Sequence, residues 1–75
     1  MPRTVDLTQA LRRCKRLTAR DGRLRFVYPR ADGYHVSTKR PAQDCHVWNG
    51  EAVYRWAAGA KAGTVDEPLT RELEQ

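Results

Sequence analysis

The sequence predicts a small α+β domain: an N-terminal helix packed on a two- to three-stranded antiparallel sheet, followed by one or two short C-terminal helices, in α-β-β-β-α order. Three observations predict it. Apolar residues from Leu7 to Thr18 recur at helical spacing. Residues 23–39 alternate at period two on either side of a Pro- and Gly-containing turn. The last third of the chain carries an alanine-rich stretch, and then Leu69 and Leu73 at i,i+4. Seventy-five residues make a single basic domain with a thin core, because Leu, Val and Phe together number thirteen and Ile is absent.

The first element is a helix over about Asp6–Arg20. Asp6 serves as N-cap, and Gln9 three residues on completes a capping box. Leu7, Ala10, Leu11, Cys14, Leu17 and Thr18 form one stripe. Asp21-Gly22 ends it, with Gly22 suited to the left-handed position. A hairpin follows. In Arg23–Tyr28, alternation puts Leu24, Phe26 and Tyr28 on one face and Arg23, Arg25 and Val27 on the other. Pro29–Gly33 is turn chemistry. Tyr34–Lys39 alternates again, with Tyr34, Val36 and Thr38 together. Joining the apolar faces sets Leu24, Phe26, Tyr28, Tyr34 and Val36 against the helix. Arg23, Arg25, Val27, His35, Ser37 and Lys39 are then left on the solvent side.

Cys45–Trp48 reads as a short third strand. Beyond it two readings compete. Asn49-Gly50 is a strong hairpin signal, making Glu51–Trp56 a fourth strand. Asn49 is also an acceptable helix cap, and Ala52, Val53, Trp56, Ala57 and Ala60 then share a helical face across Glu51–Ala62. Alanine-rich 57–62 favours the helix. Trp56 is expected in the core; Trp48 is either a core anchor or an exposed hot spot. In the tail, Thr64–Glu67 matches a capping box and leads into a short acidic helix over 66–74, frayed at its end.

Composition excludes several classes. No run of about 18 apolar residues offers a transmembrane helix. Met1–Asp6 lacks the apolar core of a secretion signal. Two cysteines make no disulfide framework, so a reduced, cytoplasmic thiol pair is expected. Cys14, His35, Cys45 and His46 lack the close-paired spacing of a zinc site, and no metal or cofactor is expected. So short a chain can barely enclose a pocket of several hundred Å3, so neither catalysis nor a small-molecule substrate is expected.

Charge is the main functional signal. Residues 1–40 hold eleven of the fourteen basic residues and three acids, a net of +8, while residues 41–75 carry a net of −3. Eleven of the fourteen are Arg, which forks onto phosphates and stacks on bases. A GC-rich genome would also favour Arg over Lys, but it does not place the charge in one half. The sheet set Arg23, Arg25, Arg30, His35 and Lys39, with tyrosines nearby, has the footprint of nucleic-acid binding. The helix set Arg12, Arg13 and Arg16, with Lys15 and Arg20, is a rival surface. Like charges at i,i+4 weaken a helix, so an anionic partner is the simplest reason to tolerate them. His35 could instead serve a small nuclease, but no carboxylate shares its expected face.

The expected element order resembles that of double-stranded-RNA-binding domains and of small toxins built on the same plan, a likeness of topology alone. The toxin plan wants a catalytic histidine early in the hairpin, and Gly22-Arg23-Leu24-Arg25 has none. The leading expectation is a non-catalytic nucleic-acid-binding module acting through the basic half. The alternative is a phage or mobile-element inhibitor or adaptor, anti-CRISPR-like, that binds a host protein or nucleoprotein complex.

Overall fold

Helix α1 spans Leu7–Asp21 and presents Ala10, Leu11 and Cys14 to the core on the expected stripe. The computed structural model describes residues 6–74; the absence of an apolar leader was read largely from residues 1–5, which lie outside that span. Asp6 caps α1 by accepting the Gln9 N–H at 2.8 Å. Gly22, at φ 72°, ends it, donating its N–H to the Thr18 carbonyl at 2.8 Å.

Five strands follow: β1 (Arg25–Arg30), β2 (Gly33–Ser37), β3 (Cys45–Trp48), β4 (Val53–Trp56) and β5 (Thr64–Val65); helix α2 (Glu67–Glu74) closes the order. They form one antiparallel sheet in the order β2-β1-β3-β4-β5. The α+β class and the flanking helices agree with the sequence. The sheet is larger than the expected two to three strands.

The extra strands come from the segment read as a helix. Glu51–Ala62 is not helical. Trp48 pairs with Val53 across a turn in which Asn49 Oδ1 accepts the Glu51 and Ala52 N–H groups, both at 2.9 Å. Asn49 does cap, but Gly50 sits at φ 99°, which turns the chain back instead of into a helix. Val53, Tyr54 and Trp56 then favour a pleated surface, and tertiary packing overrides alanine propensity. The alanine-rich stretch is held in an irregular loop: Asp44 Oδ1 accepts the Ala58 N–H at 2.8 Å, and Arg40 donates to the Ala57 and Ala60 carbonyls at 3.2 and 2.7 Å.

The hairpin forms, but one of its strands faces the other way. Arg30 pairs with Gly33 across a two-residue turn, which sets Val27 opposite Val36 and Tyr28 opposite His35. Tyr34 and Val36 face the helices as expected. On β1, however, Val27 is fully buried in the core, while Phe26 and Tyr28 point to the opposite face. The expected inward set of Leu24, Phe26 and Tyr28 would need a turn one residue longer, because a one-residue shift flips every side chain of a strand. Leu24 itself precedes β1 and is 44% exposed.

The core joins Ala10, Leu11 and Cys14 of α1 with Val27, Trp48, Val53 and Leu73, and Leu7, Tyr34, Val36 and Leu69 pack against it. Trp48 is therefore a core anchor. Helix α2 is docked through Leu69 and Leu73. Its cap is Asp66, whose Oδ1 accepts the Leu69 N–H at 3.1 Å; Thr64 belongs to β5. Beyond the two residues of β5, α2 takes over the edge of β4. The Val53 carbonyl accepts the Asp66 N–H at 2.8 Å, and the Val53 N–H donates to the Thr70 hydroxyl at 2.9 Å.

Candidate functional site

Both helices lie on the same face of the sheet, and neither covers the other face. Pleating and register assign that second face. One cross-strand row runs Ser37, Phe26, Val47, Tyr54, Val65 over all five strands. In the next row, His35 stands opposite Tyr28, and Cys45 opposite Trp56. Four aromatic side chains thus share a face with His35. They are half-buried, and beneath them Val47 and Cys45 are 1% and 3% exposed. The small central residues are shielded by the rings, and the rings themselves keep an outward surface. Phe26 and Tyr54 stand two strand spacings, roughly 10 Å, apart.

Trp56 is the most constrained of the rings, and it is not in the helix-side core. Its indole N–H donates to the Ala60 carbonyl at 3.0 Å, and the Arg40 guanidinium lies 5.0 Å from the ring centroid. Tyr28 and His35 stack with ring centroids 6.1 Å apart. His35 also meets Asp32 Oδ1 at 2.7 Å across the hairpin turn. A carboxylate therefore does accompany His35, contrary to the alternation argument, because the turn carries Asp32 back over the strand. The pair is solvent-exposed at the hairpin turn.

The basic residues predicted from sequence separate into three groups. Arg30, Lys39 and Arg23 are exposed around the open-face hairpin: Arg30 at its turn, Lys39 and Arg23 toward the other end. Arg25 is committed elsewhere. It projects to the helix side and forks onto Asp21, with contacts of 2.8 and 2.5 Å. This fork and the Arg23 backbone N–H hold the Asp21 carboxyl well below the usual carboxylate range. Val27, expected beside Arg25 on the solvent face, does share its face, but that face is the core side.

The helix set is partly internal too. Lys15 Nζ donates to the Leu73 carbonyl at 2.6 Å and lies 5.6 Å from the Trp48 ring centroid. Arg12 donates to the Glu72 carbonyl at 3.4 Å. Two bases of α1 thus satisfy carbonyls at the C-terminal end of α2, where the helix dipole favours cations. Arg13 and Arg16 remain exposed on α1 and contribute nothing to the open sheet face.

The thiols lie on opposite sides of the sheet. Burial pushes the Cys14 thiol up to about 11, against the opposing fields of Arg25 and Arg13. Burial also raises Cys45. Among the described residues, no three His, Cys, Asp or Glu side chains gather as a metal site.

Arg40 and the ring row were missed at the level of sequence. Arg40 was counted only as charge, and Tyr54 and Trp56 were hidden by the helical reading. The available signal was the alternation in Val53-Tyr54-Arg55-Trp56 after Asn-Gly. Comparison with protein-family models, curated proteins and solved structures finds no match for this chain.

Proposed function

We propose that this protein is a small, non-catalytic, cytoplasmic module that binds single-stranded nucleic acid on the open face of its sheet. The observation that carries this reading is the row of Phe26 and Tyr54 with Tyr28 beside it, uncovered by either helix. Splayed bases stack on such rings whatever their sequence, while a duplex keeps its bases stacked internally. Arg30, Lys39 and Arg23 lie around the same hairpin and would contact phosphates. Arg40, held over Trp56, adds charge at the far rim.

Fluorescence anisotropy with a labelled oligouridine and a duplex of equal length tests this. Three or four phosphate contacts give a log–log salt slope of about −2 to −3 on the single strand. Phe26→Leu and Tyr54→Leu keep apolar cover over Val47 but remove the π-face. Each lost stack should cost about 1–3 kcal/mol, a roughly 5- to 150-fold weaker Kd. Arg12, Arg13 and Arg16 form the control set, and their replacement should change the affinity far less. Equal binding of duplex and single strand, with both leucine variants silent, would refute the stacking surface.

A second reading has one observation of its own. The ring row ends in Val65, 42% exposed, where a base gains nothing but an apolar side chain of a protein does. If no nucleic acid binds near 50 mM salt, the open face serves a protein partner. The inhibitor or adaptor of a host nucleic-acid-processing complex, of phage or mobile-element origin, then takes first place.

A further inference from the structure

The helix-side face of the sheet is covered only in part. Its central row runs Val36, Val27, His46, Arg55, Thr64 over five strands. Val27 lies in the core and Val36 packs against it, but the last three are not part of that core, His46 being half-buried and Arg55 and Thr64 exposed. There the surface opens into a groove of about 440 Å3, whose lining includes Pro29, Tyr34, His46, Arg55, Trp56 and Thr64. That is the volume of a small-molecule site, which the chain's length had argued against.

The lining has a definite chemistry. Imidazole, guanidinium and hydroxyl project from three adjacent strands, so their Cα atoms are about 5 Å apart in sequence along the row. Neither the His46 nor the Arg55 side chain has a hydrogen-bond or ion-pair partner among the described residues. A guanidinium with unused forks beside an imidazole and a hydroxyl suits a phosphate. The neighbouring row differs. Tyr34 stands against Pro29 there, and Asp44 lines the same groove. One Asp44 oxygen accepts the Ala58 N–H, which leaves the other for a hydroxyl donor. A bare anion would gain nothing from these groups, whereas a sugar hydroxyl and a flat ring would.

We propose that this groove binds a nucleoside monophosphate, with its phosphate on Arg55, His46 and Thr64 and its nucleoside toward Tyr34 and Asp44. The groove shares Trp56 and Cys45 with the open face but none of Phe26, Tyr28 and Tyr54, so the proposal does not rest on the single-strand surface. Burial, chiefly, holds the His46 ring below the ordinary histidine range, with Asp66 raising it and Arg55 lowering it. A bound phosphate favours the imidazolium, so occupancy should also move the His46 titration upward.

The test is an NMR titration of the labelled full chain with adenosine 5′-monophosphate, and with adenosine as the uncharged arm. The expected result is a Kd on the order of 1 mM or tighter, with shifts at the His46 ring, the Arg55 side chain and Thr64, and a raised His46 midpoint. Arg55 is exposed, so Arg55→Gln should fold normally and weaken the nucleotide roughly ten-fold or more. Phe26→Leu with Tyr54→Leu should leave nucleotide affinity unchanged, and Arg55→Gln should leave oligouridine affinity unchanged. Three results would each overturn the site: adenosine binding as tightly as the nucleotide, shifts confined to the open face, or an Arg55→Gln protein with unaltered nucleotide affinity.

Discussion

Replacing Thr70 with valine removes one oxygen from the place where a helix stands in for a strand. Thr70 is 7% exposed, and its hydroxyl accepts the Val53 N–H at 2.9 Å while donating to the Asp66 carbonyl at 2.7 Å. The two bonds are unequal. The Asp66 carbonyl also receives the Thr70 backbone N–H at 3.0 Å, so it keeps a partner in the variant. The Val53 N–H has no second acceptor among the described residues, and Val53 is fully buried. Stranding a buried donor costs about 1–3 kcal/mol, and the added methyl returns part of that. A net loss of about 1–2 kcal/mol follows, which for a domain of this length lowers Tm by roughly 5–15 °C. Thermal unfolding followed by circular dichroism measures it, with Thr70→Ser as the control that keeps the oxygen and loses only the methyl. Amide exchange at Val53 should accelerate in the valine variant. A Thr70→Val protein as stable as the parent, with Val53 exchange unchanged, would refute the reasoning that α2 completes the sheet edge through this hydroxyl.

Other perturbations follow from the same packing. Leu11 is fully buried between α1 and the sheet, so Leu11→Ala should cost about 2–4 kcal/mol by urea denaturation. Asp21 carries a pH signature: because its folded carboxyl is held below the ordinary value by Arg25, its contribution is present above about pH 4 and is lost as pH falls through the lowered pKa. Asp21→Asn should therefore lower Tm at neutral pH, and the gap to the parent should close in acid. Both thiols should resist Ellman's reagent in the native protein and react only at the rate of unfolding, since Cys14 is fully buried and its thiol is pushed up to about 11.

The sequence was legible where one local signal had no competitor. Asp6, the Leu7–Cys14 stripe and Gly22 specify α1 by themselves, and the structure keeps each role. The hairpin was legible as a hairpin, but not in its facing. Pro29–Gly33 fits a turn of either parity, and only the observed Arg30–Gly33 closure decides that Val27 is inside and Phe26 outside. The β4 segment failed for a different reason. Local propensity in residues 51–62 favours helix, while the benefit of strand, covering Val47 and Cys45 with Tyr54 and Trp56, arises only once β3 is in place. The candidate surface inherits both errors. Arg25 was assigned to solvent and is bound to Asp21, whereas His35 was placed on the open face correctly because β2 kept its expected orientation. Arg12 and Lys15 looked like surplus charge until the end of α2 was found beneath them.

The two margins of the sheet are unlike. On the β4 side, β5 is two residues long and α2 then occupies the hydrogen-bonding groups of Val53. On the other side, β2 presents five residues with no further strand beyond them among those described. Edge-to-edge growth into a fibre needs a pairing-competent margin at both ends of every subunit. Among the described residues β2 is the long margin, so pairing of β2 with a second β2 about a two-fold axis would leave only the two-residue β5 margins at the ends of the joined pair. Self-association through backbone pairing therefore favours two copies over a growing fibre, because a two-residue strand offers little to pair with, and neither helix nor ring face has to change for that preference to hold.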